Sequence, residues 1–208
     1  MGKRRKKESA FRFSPEKFLD ETTIRQNLIL SSLYLFLFEV LKFAIMEDAR
    51  DSLTLTASLE DATGEITTWE VMFEESERRQ ARVAAAYKKR LGDLHKKKWK
   101  ASCLFLEAIE VLDKQDVDDL GTVEAHRNEI AHELPRLLTA EDLDVNLRHL
   151  VRMREILGKI EAWQVSIEVA ISPELEGKEI RSSRIVVADH IVSVALSAIY
   201  GDEGENAV

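Results

Sequence analysis

A run of 19 mainly apolar residues, 28–46, constrains the fold of this chain more than any other feature. A helix of about 20 apolar residues is long enough to span a bilayer. Glu39 and Lys42 lie well inside the run, and each charge would cost roughly 2.5–3.5 kcal/mol at the centre of a membrane. Because they are three residues apart, they can pair with each other on a helix. The run therefore favours a buried central helix over a membrane span.

The composition also favours helices. Only 8 Gly and 3 Pro occur among 208 residues, which is too few for a turn-rich β-sandwich or barrel. We predict an all-α fold, an antiparallel bundle of about five to six helices forming a single domain over residues 14–200. Apolar residues alternate after position 52, which predicts a short β-hairpin insert near 52–72. Residues 1–13 are predicted to form a basic disordered tail and residues 201–208 a flexible tail.

The cysteine count limits the chemistry of the chain. Its single cysteine, Cys103, excludes a disulfide scaffold and a cysteine-based zinc cluster. The sequence contains no HExxH zinc motif, no glycine-rich phosphate loop and no serine or cysteine hydrolase motif. We therefore expect no metal and no cofactor, and a cytoplasmic protein.

The net charge of −8 is unevenly distributed. Residues 78–100 carry ten basic groups and one acid, Asp93. On a continuous helix over 78–105, one face carries a set of cations that we call the basic ridge: Arg78, Arg82, Lys89, Lys96 and Lys100. The ridge predicts an RNA-binding surface, with Trp99 on its flank stacking on a base. A solvated face that keeps the protein soluble is the alternative interpretation.

A second segment, EAHRNEIAHELP at 124–135, carries residues suited to catalysis. It resembles the signature of the HEPN superfamily, helical proteins many of which are metal-independent ribonucleases. That signature is an Arg, then four to six residues of which the first is polar, then a His. Arg127, Asn128 and His132 match it, and the small Ala131 before the His is also typical. The resemblance in residue identity covers fewer than a dozen positions.

The residue types suit the cleavage of RNA without a metal. Histidine titrates near neutral pH and can transfer protons to and from the ribose oxygens. Arginine stays charged and presents a planar fork to phosphate. The resemblance implies an endoribonuclease in which Arg127 and His132 are catalytic and Asn128 supports them. It also implies RNA as substrate, a role as a toxin or in antiviral defence, and an antitoxin or regulatory protein partner. Family toxins often have Tyr two residues after the His, but Leu134 stands there, so inactivation by modification of that Tyr is not expected.

The three motif residues do not all lie on the same face of a helix. Asn128 and His132 are four residues apart and share a face, whereas Arg127 lies about 140° away from His132. In the family, two protomers commonly combine their motifs, so the resemblance implies a homodimer with a composite site. Glu39 is a candidate for orienting His132 or Arg127, or for pairing with Lys42 alone.

Other interpretations of these residues remain open. His126 can contact phosphate, and His149, among three arginines, is expected on a solvated face. Alternatively, Arg127 and His132 only stabilise a helix C-terminus. The chain would then be a non-catalytic helical module that binds RNA or a protein through the basic ridge. A membrane-associated protein is the less favoured third class.

Overall fold

A computed structural model of the chain describes residues 13–59, 95–141, 143–175, 177–178 and 180–200. These residues form seven α-helices and no strand, so the predicted all-α class is confirmed for the described part. The helices are α1 (Pro15–Leu19), α2 (Glu21–Leu59), α3 (Lys98–Ala108), α4 (Lys114–His132), α5 (Leu134–Thr139), α6 (Leu147–Ile171) and α7 (Ser183–Tyr200). A 3₁₀ turn, Pro173–Leu175, follows α6.

The apolar run forms the middle of α2, which contacts each of the other six described helices. Tyr34, Leu37, Leu41 and Ile45 recur every three or four residues and are completely buried. This spacing places them on one side of the helix, where α3, α4, α6 and α7 pack. The helix is therefore central among the described helices, as predicted, and is buried along one side.

Two described helices are long and apolar enough to cross a membrane, namely α2 over Glu21–Arg50 and α7. This is weak evidence, because a helix at the centre of a packed core has the same length and composition. In α2, Glu39 forms ion pairs with Lys42 and with Arg127 of α4, which are contacts within the protein.

The β-hairpin predicted near 52–72 is wrong in its first part. Residues 52–59 are the last turns of α2, and residues 60–72 lie outside the described residues. The alternating apolar residues at 53–59 also form pairs four apart, and Leu and Ala favour helix. Of the predicted tails, 1–12 and 201–208 lie outside the described residues, and Phe13 forms an isolated β-bridge with Ala140.

Local capping sets the start of α4, the helix that carries the HEPN-like motif. The side chain of Asp113 accepts a hydrogen bond from the Asp116 N–H, and the Asp116 carboxylate accepts one from the Asp113 N–H. This reciprocal capping box satisfies backbone donors that the first helical turn leaves unpaired. Asp116 is completely buried and also pairs with Arg152 at 2.8 Å and Lys159 at 2.7 Å, both on α6. These contacts fix α4 against α6.

Candidate active site

A groove of about 580 Å³ lies between the C-terminal half of α4 and the first turn of α6. Three of the chain's five histidines line it. The polar lining comprises Thr122, His126, Asn128, Glu129, His132, Glu133 and His149. The groove thus combines imidazoles, an amide and carboxylates, which are groups that transfer protons and bind polar ligands.

Asn128 and His132 both line this groove, as their four-residue spacing predicts. His132 is exposed at the last residue of α4. Asn128 is also exposed, and its Oδ1 accepts a hydrogen bond from Arg127 Nη1 at 3.2 Å. Its amide NH₂ remains a donor of the kind that binds phosphate oxygens.

Arg127 lies on the α2 side of α4 and does not line the groove. Its Nη2 donates to Glu39 Oε1 at 2.7 Å, and its guanidinium carbon lies 5.6 Å from the centre of the Phe38 ring. Its Nε is buried and has no hydrogen-bond partner among the described residues. The other oxygen of Glu39 lies 3.5 Å from Lys42 Nζ, so both contacts predicted for Glu39 are present. A single chain therefore places Asn128 and His132 in the groove, whereas Arg127 contacts Asn128 but lies outside the groove lining.

His126 is held in place at the bottom of the groove. Its Nε2 accepts a hydrogen bond from the Asn146 backbone N–H at 3.1 Å. In the neutral ring the proton therefore lies on Nδ1, which is 3.5 Å from a carboxylate oxygen of Glu129. The ring packs edge-on against Tyr34 and His149, with centroid distances of 5.2 and 5.3 Å. His126 thus has a fixed orientation, in contrast to the exposed His132.

The expectation that His149 lies on a solvated face holds only in part, because the half-buried side chain lines the groove and contacts Tyr34 and Asn146. The Tyr34 hydroxyl donates its one proton to the Val123 carbonyl at 3.2 Å, so it accepts from His149 Nδ1 at 3.1 Å. His149 Nε2 then accepts from the Asn146 side-chain amide at 3.2 Å. Every polar atom of a neutral His149 side chain is therefore hydrogen-bonded.

The environment of His149 disfavours its charged form. Burial and the nearby His126 lower the pKa of His149 below its usual 6.5, while Asp119 acts in the opposite direction. Burial also raises the pKa of Tyr34, which keeps its hydroxyl protonated. Sequence reasoning missed Tyr34, although a Tyr inside an apolar run needs a buried partner for its hydroxyl.

A pH dependence of stability follows from His149. Because its pKa is lower in the folded state, the unfolded chain binds more protons between that pKa and about 6.5. We expect the contribution of His149 to stability to be complete above pH 6.5 and to fall as the pH falls below it. Urea unfolding at several pH values should show a weaker decline in His149→Gln than in wild type. His190→Gln, at an exposed His of α7, is the control and should behave as wild type. An unchanged decline in His149→Gln contradicts the assignment.

The basic ridge is only partly within the described residues. Lys96 and Lys100 are exposed, whereas Arg78, Arg82 and Lys89 lie outside the described part of the chain. Residues 95–97 are not helical, so the prediction of one continuous helix over 78–105 is wrong at these positions. Here His95 Nδ1 accepts a hydrogen bond from the Lys97 N–H at 2.9 Å.

The prediction that Trp99 stacks on a base is wrong. Trp99 is only 7% exposed, and its ring lies 5.7 Å from the ring of Phe38 in the core. α3 begins at Lys98 and packs against α2. Trp99 therefore faces α2 rather than solvent.

Among the residues that the structure describes, no group of three or more His, Cys, Asp or Glu side chains is arranged to hold a metal ion. No protein-family model, curated protein or solved structure matches the chain. The resemblance to the HEPN superfamily therefore depends on the motif residues of the sequence alone.

Proposed function

We propose that this protein is a metal-independent endoribonuclease that binds RNA in the groove lined by His126, Asn128 and His132. The observation that carries the proposal is that the polar and the histidine positions of the motif line one groove beside a second, fixed imidazole. Two imidazoles and an amide match the needs of phosphodiester cleavage by the neighbouring 2′-hydroxyl.

The proposed reaction needs two proton transfers. A base takes the 2′-hydroxyl proton as that oxygen attacks phosphorus, and an acid protonates the departing 5′-oxygen. The products are a 2′,3′-cyclic phosphate and a free 5′-hydroxyl. His132 is the main candidate for proton transfer because its ring is exposed in the groove. The Asn128 amide would donate a hydrogen bond to a phosphate oxygen, and His126 is the adjacent supporting group.

Arg127 lies outside the groove of its own chain, so its catalytic role requires a second chain. Its charge is already paired with Glu39, and it lies on the α2 side of α4. We therefore retain a homodimer in which two motifs form one composite site, as the resemblance implies. In each protomer Arg127 also connects α4 to α2, and Glu39 is the residue that orients it.

The bundle type and the biological role that we propose are those that the resemblance implies. We propose the antiparallel bundle that the resemblance implies, with α3, α4, α6 and α7 packed on α2. A cytoplasmic toxin or antiviral-defence effector, regulated by an antitoxin or another protein, is the role that this enzyme class implies.

Incubation of the full chain with single-stranded RNA in EDTA tests the proposed activity. We expect cleavage with cyclic-phosphate ends, no cleavage of DNA of the same sequence, and reduced cleavage by Asn128→Ala and Arg127→Ala. If the wild type cuts nothing, or if both variants cut as fast as wild type, the enzymatic proposal is wrong. RNA binding without cleavage, weakening steeply with salt, would favour a non-catalytic module that uses the exposed Lys96 and Lys100 of the basic ridge.

A further inference from the structure

The central helix α2 has an apolar outer face in addition to its buried side. Ile29, Phe36 and Phe43 recur at seven-residue intervals, which places them on one side of the helix. Their exposed fractions are 38%, 55% and 61%. Leu28, beside Ile29, is 40% exposed. Large exposed apolar side chains in a row are typical of an interaction surface rather than of a free surface.

Charged pairs flank this apolar row at both ends. Glu21 pairs with Arg25 at 2.9 Å before the row, and Glu47 pairs with Arg50 at 2.8 Å after it. Position 36 lies midway between 25 and 47 and also midway between 29 and 43. The midpoint of 21 and 50 lies within half a residue of the same position. The sequence of this face is therefore symmetric about Phe36. An apolar residue of the row on one side of Phe36 has an apolar residue at the mirrored position, and a flanking charged residue has one of opposite charge.

We propose that this face of α2 binds a second copy of the chain, with the two α2 helices antiparallel and the two-fold axis at Phe36. The rotation places Phe36 against its own copy and Ile29 against Phe43. It also places Arg25 opposite Glu47, and Glu21 opposite Arg50, each pair occurring twice. A two-fold interface requires a self-complementary surface of this kind. The charge pattern thus favours a second copy over another apolar partner.

The interface also meets the requirement that charges within it are neutralised. Glu39 lies on the same exposed side, and within its own protomer it is paired with Arg127 and Lys42. This dimer bears on the proposed function only because it would place Arg127 beside the interface. Association is measured without RNA, so failure of the dimer and failure of the nuclease are distinguishable.

A cysteine on the axis tests the geometry directly. In Phe36→Cys, a short thiol–thiol crosslinker should join two copies, because the axis brings position 36 of both chains together. Burial raises the pKa of Cys103 to about 12, which keeps the native thiol protonated and unreactive. The matched control is Val186→Cys, at a 54% exposed valine of α7, which should not crosslink efficiently.

Charge reversal tests the register of the two helices. By sedimentation the wild-type chain should have twice its 23.7 kDa mass, and Arg25→Glu should raise the dimer Kd about tenfold because two pairs are lost. Adding Glu47→Arg should restore the wild-type Kd. Restoration can come only from contacts between chains, because the double variant places like charges next to each other within each chain. An acid at position 25 would lie beside Glu21, and a base at position 47 would lie beside Arg50.

Several outcomes would overturn the proposal. They are a monomeric wild type at every concentration, absence of the Phe36→Cys crosslink, and a double variant that associates no better than Arg25→Glu. A monomer that floats with vesicles of phosphatidylcholine and phosphatidylglycerol would show instead that the apolar face binds membranes.

Discussion

We expect His132→Ala to cut RNA roughly 10²–10⁴-fold more slowly than wild type, the usual loss when a general acid or base is removed. His132 is exposed at the last residue of α4 and lines the groove, so the substitution removes the proton-transfer group without opening the core. Its removal should change the free energy of unfolding by less than about 1 kcal/mol, the scale of a helix-end charge. Single-turnover cleavage in EDTA, together with urea unfolding, measures both quantities.

His190→Ala is the matched control for this prediction. His190 is an exposed histidine on α7 that does not line the groove, so its loss should leave the cleavage rate unchanged. Equal cleavage by wild type and His132→Ala would contradict the catalytic assignment of His132. A similar loss in the His190 variant would show that the effect is not specific to the groove.

The second large effect concerns Trp99. We expect Trp99→Ala to lower the free energy of unfolding by about 3–5 kcal/mol, as is typical when a large buried aromatic side chain is removed. The indole is buried against Phe38, and truncation would leave a cavity between α3 and α2. Trp99→Phe should lose less, because an aromatic ring would still contact Phe38. Urea unfolding followed by far-UV circular dichroism measures these differences.

Lys100→Ala separates the core role of Trp99 from an RNA-binding role. Lys100 is the next residue and is exposed, so its removal should change stability by less than about 0.5 kcal/mol. If Trp99→Ala were as stable as wild type but bound RNA more weakly, the indole would be a base-stacking group after all.

The histidine groove depends on one residue of the central helix. Tyr34 belongs to α2, yet its hydroxyl contacts the backbone of α4 at Val123 and the side chain of His149 at the start of α6. The groove therefore lies where three helices meet, and its shape is coupled to the packing of the core. We infer that α2 supports the candidate site as well as the fold.

Features that depend on neighbouring residues could be predicted from the sequence. Ser14 and Pro15 begin α1, because a capping hydroxyl followed by Pro favours the first helical turn. The apolar spacing of residues 28–46 predicts a helix with a buried side, and the four-residue spacing of Asn128 and His132 predicts a shared face. Both are local properties of a helix with 3.6 residues per turn.

Contacts between distant residues were decided only by the tertiary structure. Arg127 pairs with Glu39, 88 residues away, and His149 with Tyr34, 115 residues away. Trp99 is buried because α3 packs with that side against α2. Periodicity shows which residues share a face of one helix, but the rotation of each helix against its neighbours depends on how all the side chains fill the core. The sequence by itself therefore determined the helices and the local face of the motif, whereas packing decided which residues meet in the groove and which enter the core.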